Sequence, residues 1–193
     1  MAALVANGRI VGQISVPVLA DVASSLASRL AQLLDRAGDL RPGLIAACAG
    51  PGRFTSLRAT LAVAAGLSLA WGVPAYGVGI ADAFMEQIDQ PPPLWIAVGA
   101  RANRIFLGRP TPMTGIDLNR LPASPPGLQL VGDAAGIVRD LLAERDQFAT
   151  VLPIAAPSPI AFATVAVRMQ IASCPTRLDP AYIDDPEAYP RAT

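Results

Sequence analysis

The sequence predicts an α/β fold organised as two lobes, and three observations carry that prediction. An Asn7-Gly8 hairpin signal joins two short apolar runs near the start. Helix-period and strand-like segments then alternate through residue 85. A stiff Gln90-Pro91-Pro92-Pro93 segment suits neither regular element and marks a boundary. The expected organisation is an amino-terminal α/β lobe at 1–88, a smaller α/β lobe at 89–175 and an extended tail at 176–193.

Each element has its own warrant. Ala2–Ala6 reads as a strand, Asn7-Gly8 as a two-residue turn that tolerates positive φ, and residues 9–16 as the returning strand. From Asp21 to Ala37 the residues Val22, Leu26, Leu30, Leu33, Leu34 and Ala37 fall on one helical stripe. Asp21 is the expected N-cap and Gly38 the stop. Leu44–Ala49 reads as a buried strand. A helix is expected from near Leu57, carrying small residues at Ala59, Ala62, Gly66 and Ala70 on one face. That face serves either tight packing within the lobe or close approach of a second subunit. No charge occurs from Ala59 to Ala81, which is long enough to span a bilayer. Gly72 and Pro74 interrupt the run, so it reads instead as a buried helix, a turn and a core strand at 76–80.

In the second lobe, 94–98 and 104–107 read as a strand pair joined by a turn, and 108–127 as an irregular proline-rich loop with short extended pieces. Strands are expected at 128–131 and 151–154, with a helix between them over 134–145. Ser158-Pro159 supplies a cap and a first-turn proline for a helix that Pro175 ends.

Composition narrows function. The chain of 193 residues is 52% apolar and 16% charged, with zero formal net charge. Such a chain is not a disordered one. It lacks the basic run that strong phosphate-backbone binding requires, so contact with nucleic acid is expected only indirectly. There are no histidines and two cysteines, Cys48 and Cys174. Histidine-based triads are thus excluded within this chain, zinc and iron sites lose their usual ligands, and no disulfide framework is indicated. A reducing, cytoplasmic location without a membrane span is expected. No catalytic residue, metal or cofactor is assigned.

The candidate site is the loop from Gly50 to Ser56. Glycines between a strand and a helix turn backbone N–H groups toward an anion, so Gly50, Gly52, Arg53 and Thr55 form a possible anion site. The alternative is a structural turn, with Phe54 filling the core and Arg53 and Arg58 facing solvent or a partner. No Gly-Lys-Ser/Thr or GxGxxG pattern occurs here. Asp133 after Gly132 reads as a helix cap or a magnesium–phosphate contact. Asp82 and Glu86 share a helix face, either as solvated charges or as an acid/base pair.

Gly50-Pro51-Gly52-Arg53-Phe54-Thr55-Ser56-Leu57-Arg58 resembles the Gly-Pro-Gly-Ser-Phe-Thr-Gly-Leu-Arg signature of the bacterial TsaB family. That family takes part in making the threonylcarbamoyladenosine (t6A) modification of tRNA. Similarity continues through the small-residue helix into Ala70-Trp71-Gly72-Val73-Pro74. Weaker likeness follows at Ile96–Arg101, Val131–Ala135 and Leu178–Ala188.

The resemblance implies an actin/Hsp70/sugar-kinase-like two-lobed fold. It implies a non-catalytic scaffold or activator that binds the catalytic subunit TsaD and works with the ATPase TsaE, with a possible homodimer. It implies a partner-binding surface at Phe54, Leu57, Arg58, Leu61, Ala62 and Gly66. Three departures stand out. The chain begins at what resembles the family's second strand, implying a shortened amino-terminal end. Arg53 replaces Ser and Ser56 replaces Gly, and Ser56 is strained if that position needs positive φ. The histidine usual before the first long helix is absent. The rival readings are a degenerate self-associating protein without pathway activity and a small nucleotide- or sugar-phosphate-binding enzyme.

Overall fold

The computed structural model describes residues 1–15, 22–38, 40–88, 93–101, 103–109 and 111–183. The chain divides into two compact units. One comprises Met1–Gln87 with Pro157–Pro180, and the other centres on Ile88–Ala156. The chain therefore leaves the first unit after Gln87 and returns to it at Pro157. The helix after Ser158, grouped by sequence order with the second lobe, belongs to the first unit. Helix packing, which linear reading does not see, assigns it. Gln90, Pro91 and Pro92 lie outside the described residues, as do Asp21, Val16 and the tail from residue 184 onward.

In the first unit, β1 (Ala2–Ala6) and β2 (Arg9–Ile14) form the antiparallel hairpin. Helix α1 (Val22–Ala37) buries Leu26 and Leu33 of the predicted stripe, with Leu30 and Leu34 half-buried beside them. β3 (Ile45–Gly50) pairs in parallel with β4 (Ala75–Gly79), and α2 (Phe54–Trp71) is the crossover between them. Both faces of β3 and β4 are covered, which is why these strands read as unbroken apolar runs rather than alternating ones. On one face Ala47 packs with Leu57, Leu61 and Ala64 of α2. On the other, Tyr76 and Val78 pack with Ala161, Val165 and Ala166 of α5 (Pro159–Ile171).

A short helix, α3 (Ile80–Met85), follows β4 directly and buries Ala83 and Phe84 completely. Ile80, expected in the strand, opens this helix, and Asp82 lies within it. At six residues it is too short to display a period. Glu86, just past its end, pairs with Arg168 of α5 at 2.6 Å.

α5 opens on the expected cap. Ser158 Oγ accepts a hydrogen bond from the Ala161 N–H at 3.2 Å, and Pro159 occupies the first turn. The Ser158 N–H itself donates to Gln87 Oε1 at 2.9 Å. Ser158→Ala removes the acceptor, and we expect a loss of about 1 kcal/mol in urea unfolding. A Ser158→Asn variant, which can cap equally well, should restore it.

The second unit is one five-stranded mixed sheet. It comprises β5 (Leu94–Arg101), β6 (Arg104–Gly108), β7 (Met113–Asp117), β8 (Gln129–Val131) and β9 (Thr150–Val151), in the order β7-β6-β5-β8-β9. Helix α4 (Ala135–Ala143) packs Val138 and Leu142 against Trp95, Ala97, Ile105, Leu107 and Leu130. β7 is one of the short extended pieces expected within the proline-rich segment. It is an edge strand bonded only to β6, so one edge tolerates the flanking prolines.

Candidate functional site

The site is built on the β3-to-α2 connection. β3 ends at the buried Gly50, where φ is 111°, and the Gly50–Pro51 peptide bond is cis. The chain turns through Gly52 and enters α2 at Phe54, earlier than the Leu57 start expected from sequence. Arg53 is the N-cap, with φ −63° and ψ 127°, and makes no side-chain capping bond. Ser56 lies inside the helix with negative φ, so the strain anticipated there does not arise. The Gly-to-Ser departure is conformationally neutral in this fold.

The helix separates the predicted residues into two sets. Leu57 and Leu61, 6% and 5% exposed, point into the core with Ala64 and pack on Ala47. They hold the helix onto β3 and lie beneath any contact surface rather than on it. Phe54, Arg58, Ala62 and Gly66 lie on the exposed side, joined by Ala65 and Leu69. Phe54 is 48% exposed and Leu69 87%. The Arg58 guanidinium stands over the Phe54 ring, 4.9 Å from its centroid. Such an exposed cation–π pair is worth about 0.5–1 kcal/mol and holds both side chains in one rotamer.

The expectation of a buried helix therefore needs correction. Only Leu57, Leu61 and Ala64 of α2 are buried, although by length and composition the helix is apolar enough to cross a membrane. Apolar residues stand on every side of it, so no stripe stood out in the sequence. Packing on β3 and the strand β4 that follows make α2 a helix of an α/β layer with one bare apolar side. Leu61→Ala should cost about 3 kcal/mol of folding stability through the cavity it leaves, visible as a lowered denaturation midpoint.

The remaining candidates fall elsewhere. Of the anion set, Gly50 is buried in the strand end, while Arg53 and Thr55 are exposed at the start of α2, whose first turn holds no acidic side chain. Asp133 does not cap α4, whose N-cap is Ala134, and its carboxylate is exposed. Its Oδ1 accepts the Gly99 N–H at 2.8 Å and ties β5 to the turn before α4. Glu86 pairs with Arg168 at 2.6 Å, and the Asp82 carboxylate lies beside Gly79, so the two engage different neighbours. Burial pushes the Cys48 thiol up from its ordinary range, opposed by the Gly50 backbone and the amino-terminal ammonium. Among the described residues no three His, Cys, Asp or Glu side chains converge.

Residues 21–169 match the family described as TsaD, tRNA N6-adenosine threonylcarbamoyltransferase. The chain belongs to this family. Within it, the fold is TsaB-like. A crystal structure of an uncharacterized Pseudomonas aeruginosa protein with similarity to peptidase YEAZ superposes with a TM-score of 0.72, at 20% identity over 94% of this chain and 93% of that one. YeaZ from Pseudomonas aeruginosa superposes with a TM-score of 0.70, at 20% identity over 93% and 92%. The architecture is thus the actin/Hsp70/sugar-kinase type that the signature implied. In this TsaD-family member the signature loop and the bare side of α2 lie together on the first unit.

Proposed function

We propose that this chain is a non-catalytic accessory subunit of t6A biosynthesis that docks onto a TsaD-type catalytic subunit through the exposed side of α2. Membership of the TsaD family places the chain in t6A biosynthesis. The docking role rests on one observation above others, at Gly66. This glycine sits in the interior of an 18-residue helix, exposed, with negative φ and no atom within 4 Å of where a Cβ would stand. A helix-interior glycine costs about 1 kcal/mol relative to alanine, and nothing in the unit's own packing requires it here. A partner that lays its backbone across Ala62 and Gly66 does require it. Phe54, braced by Arg58, is the aromatic anchor at one end of that surface, and Leu69 is the apolar contact at the other.

The chemistry then belongs to the partner. With no histidine in the chain and no cluster of carboxylates or cysteines among the described residues, this subunit offers shape rather than reactive groups. A TsaE-type ATPase is the expected third member of the assembly. The test is capture of this chain by tagged TsaD, followed by a t6A assay of TsaD with and without it. We expect a stable complex and modification only in the mixture. No complex, or modification by this chain unaided, would refute the assignment.

A further inference from the structure

On the side of the β3–β4 pair that α2 occupies, the helix lies mainly over β3 and touches β4 less. The segment that follows α5 takes the place beside it. The Gly77 N–H of β4 donates to the Arg177 carbonyl oxygen at 2.7 Å, on the edge away from β3. Leu178, half-buried, packs against the cluster of Ala47, Leu57, Leu61 and Ala64 that holds α2 on the sheet. β4 is shaped for this segment at Gly77. Its neighbours Tyr76 and Val78 pack toward α5, so residue 77 faces the α2 side. An added Cβ there would lie 3.0 Å from Arg177 O, 3.2 Å from Ala49 Cβ and 3.5 Å from Leu178 Cα. Gly77 has no positive φ, so backbone conformation does not demand glycine. A glycine inside a strand weakens it, and close approach of another backbone is a reason to keep one. Here that backbone is Arg177 and Leu178.

We infer that Arg177 and Leu178 form a strap that sets the seating of α2, and with it the face that α2 presents. Only Leu57, Leu61 and Ala64 of α2 are buried, and the β3 residue they meet, Ala47, is small. Leu178 supplies the bulk that this alanine lacks. The strap's own hold is slight. Among the described residues one backbone hydrogen bond fixes it to β4, and one half-buried side chain anchors it between the exposed Arg177 and Asp179. A segment held in this way opens locally while the rest of the unit stays folded. Opening withdraws Leu178 from the cluster, admits water beside Leu57 and Leu61, and frees α2 to shift. Leu178 is thus a positioning residue. It acts on the exposed side of α2 from beneath and touches no partner itself. In its effect on partner capture the strap depends on the docking role proposed above for α2. In its effect on the free chain it does not.

The test uses the full chain with Leu178→Asp, which ejects the strap, and Leu178→Met, which keeps an apolar anchor. In the free chain Leu178→Asp should speed amide hydrogen exchange over residues 57–64 by about tenfold, leaving β5 and β6 of the other unit unchanged. Leu178→Met should stay within about twofold of the parent. Gly77→Ala, which sets a methyl against Arg177 O, should speed the same amides. Because both substitutions release one strap, the double variant should exchange no faster than Leu178→Asp alone. Capture by tagged TsaD should weaken about tenfold in Leu178→Asp and recover in Leu178→Met. The strap is overturned if Leu178→Asp leaves 57–64 unchanged, if exchange rises equally throughout the chain, or if the two substitutions add. Faster exchange with undiminished capture overturns its part in docking. Failure of the docking role itself shows separately, as no capture of the parent chain.

Discussion

Gly66→Arg abolishes capture by the TsaD-type subunit while leaving the isolated chain folded. The two halves of this expectation have separate causes. Nothing lies within 4 Å of a Cβ at Gly66, and the residue is exposed with ordinary helical φ, so the free protein accommodates a long side chain. Arginine is also a better helix former than glycine, by close to 1 kcal/mol. In the complex the same side chain stands where the partner backbone must approach. Blocking the centre of an interface in this way should weaken binding by roughly a hundredfold or more, about 2.7 kcal/mol. Gly66→Ala is the informative companion. It should raise the melting temperature of the free chain by about 2–4 °C and weaken capture far less than arginine does. If Gly66→Arg binds TsaD as tightly as the parent, the exposed side of α2 is not the docking surface. If the parent chain forms homodimers that the substitution dissolves, and TsaD capture is unaffected, the same surface serves self-association instead.

The largest effect on stability is expected at Gly132. Its φ is 106°, a region that L side chains rarely adopt, and an added Cβ would lie 2.0 Å from the Ala97 carbonyl oxygen. The obstruction is backbone of the central strand β5, so no rotamer change relieves it. The turn cannot move aside easily either. The Gly132 N–H donates to Ile154 O at 2.9 Å, and Ala134 N–H donates to Ala97 O at 3.1 Å. Asp133 is meanwhile bonded to Gly99. Strain of 1–3 kcal/mol from the backbone conformation adds to the steric conflict, and the total should reach about 4 kcal/mol or more. Gly132→Ala should therefore be recovered largely unfolded or aggregated. A well-folded variant with an unchanged melting temperature would contradict the turn geometry. Asp133→Asn, which keeps an acceptor for Gly99, should be mild by comparison.

Local chemistry made some of this fold readable from the sequence. Asn7-Gly8 turns as its composition requires, with φ of 51° and 71°, and it fixes the ends of β1 and β2. Ser158-Pro159 starts α5 where a cap and a first-turn proline place it. The losses came where local signals are weak. α3 is too short to show a period. The return of α5 to the first unit is decided by packing with Tyr76 and Val78, distant in the chain. The candidate site was half legible. The nine-residue signature located the loop and the helix. It could not say which side of an alanine-rich helix faces inward, so Leu57 and Leu61 were grouped with Ala62 and Gly66. Burial separates them.

The central claim is that the bare side of α2 meets the catalytic subunit, and a photocrosslink tests it most directly. Benzoylphenylalanine placed at Ala62 in the full chain should crosslink to TsaD on irradiation. The same group at Ile137, an exposed residue of α4 in the other unit, should not. Crosslinking confined to Ile137, or absent from Ala62 in a mixture that forms the complex, would contradict the account.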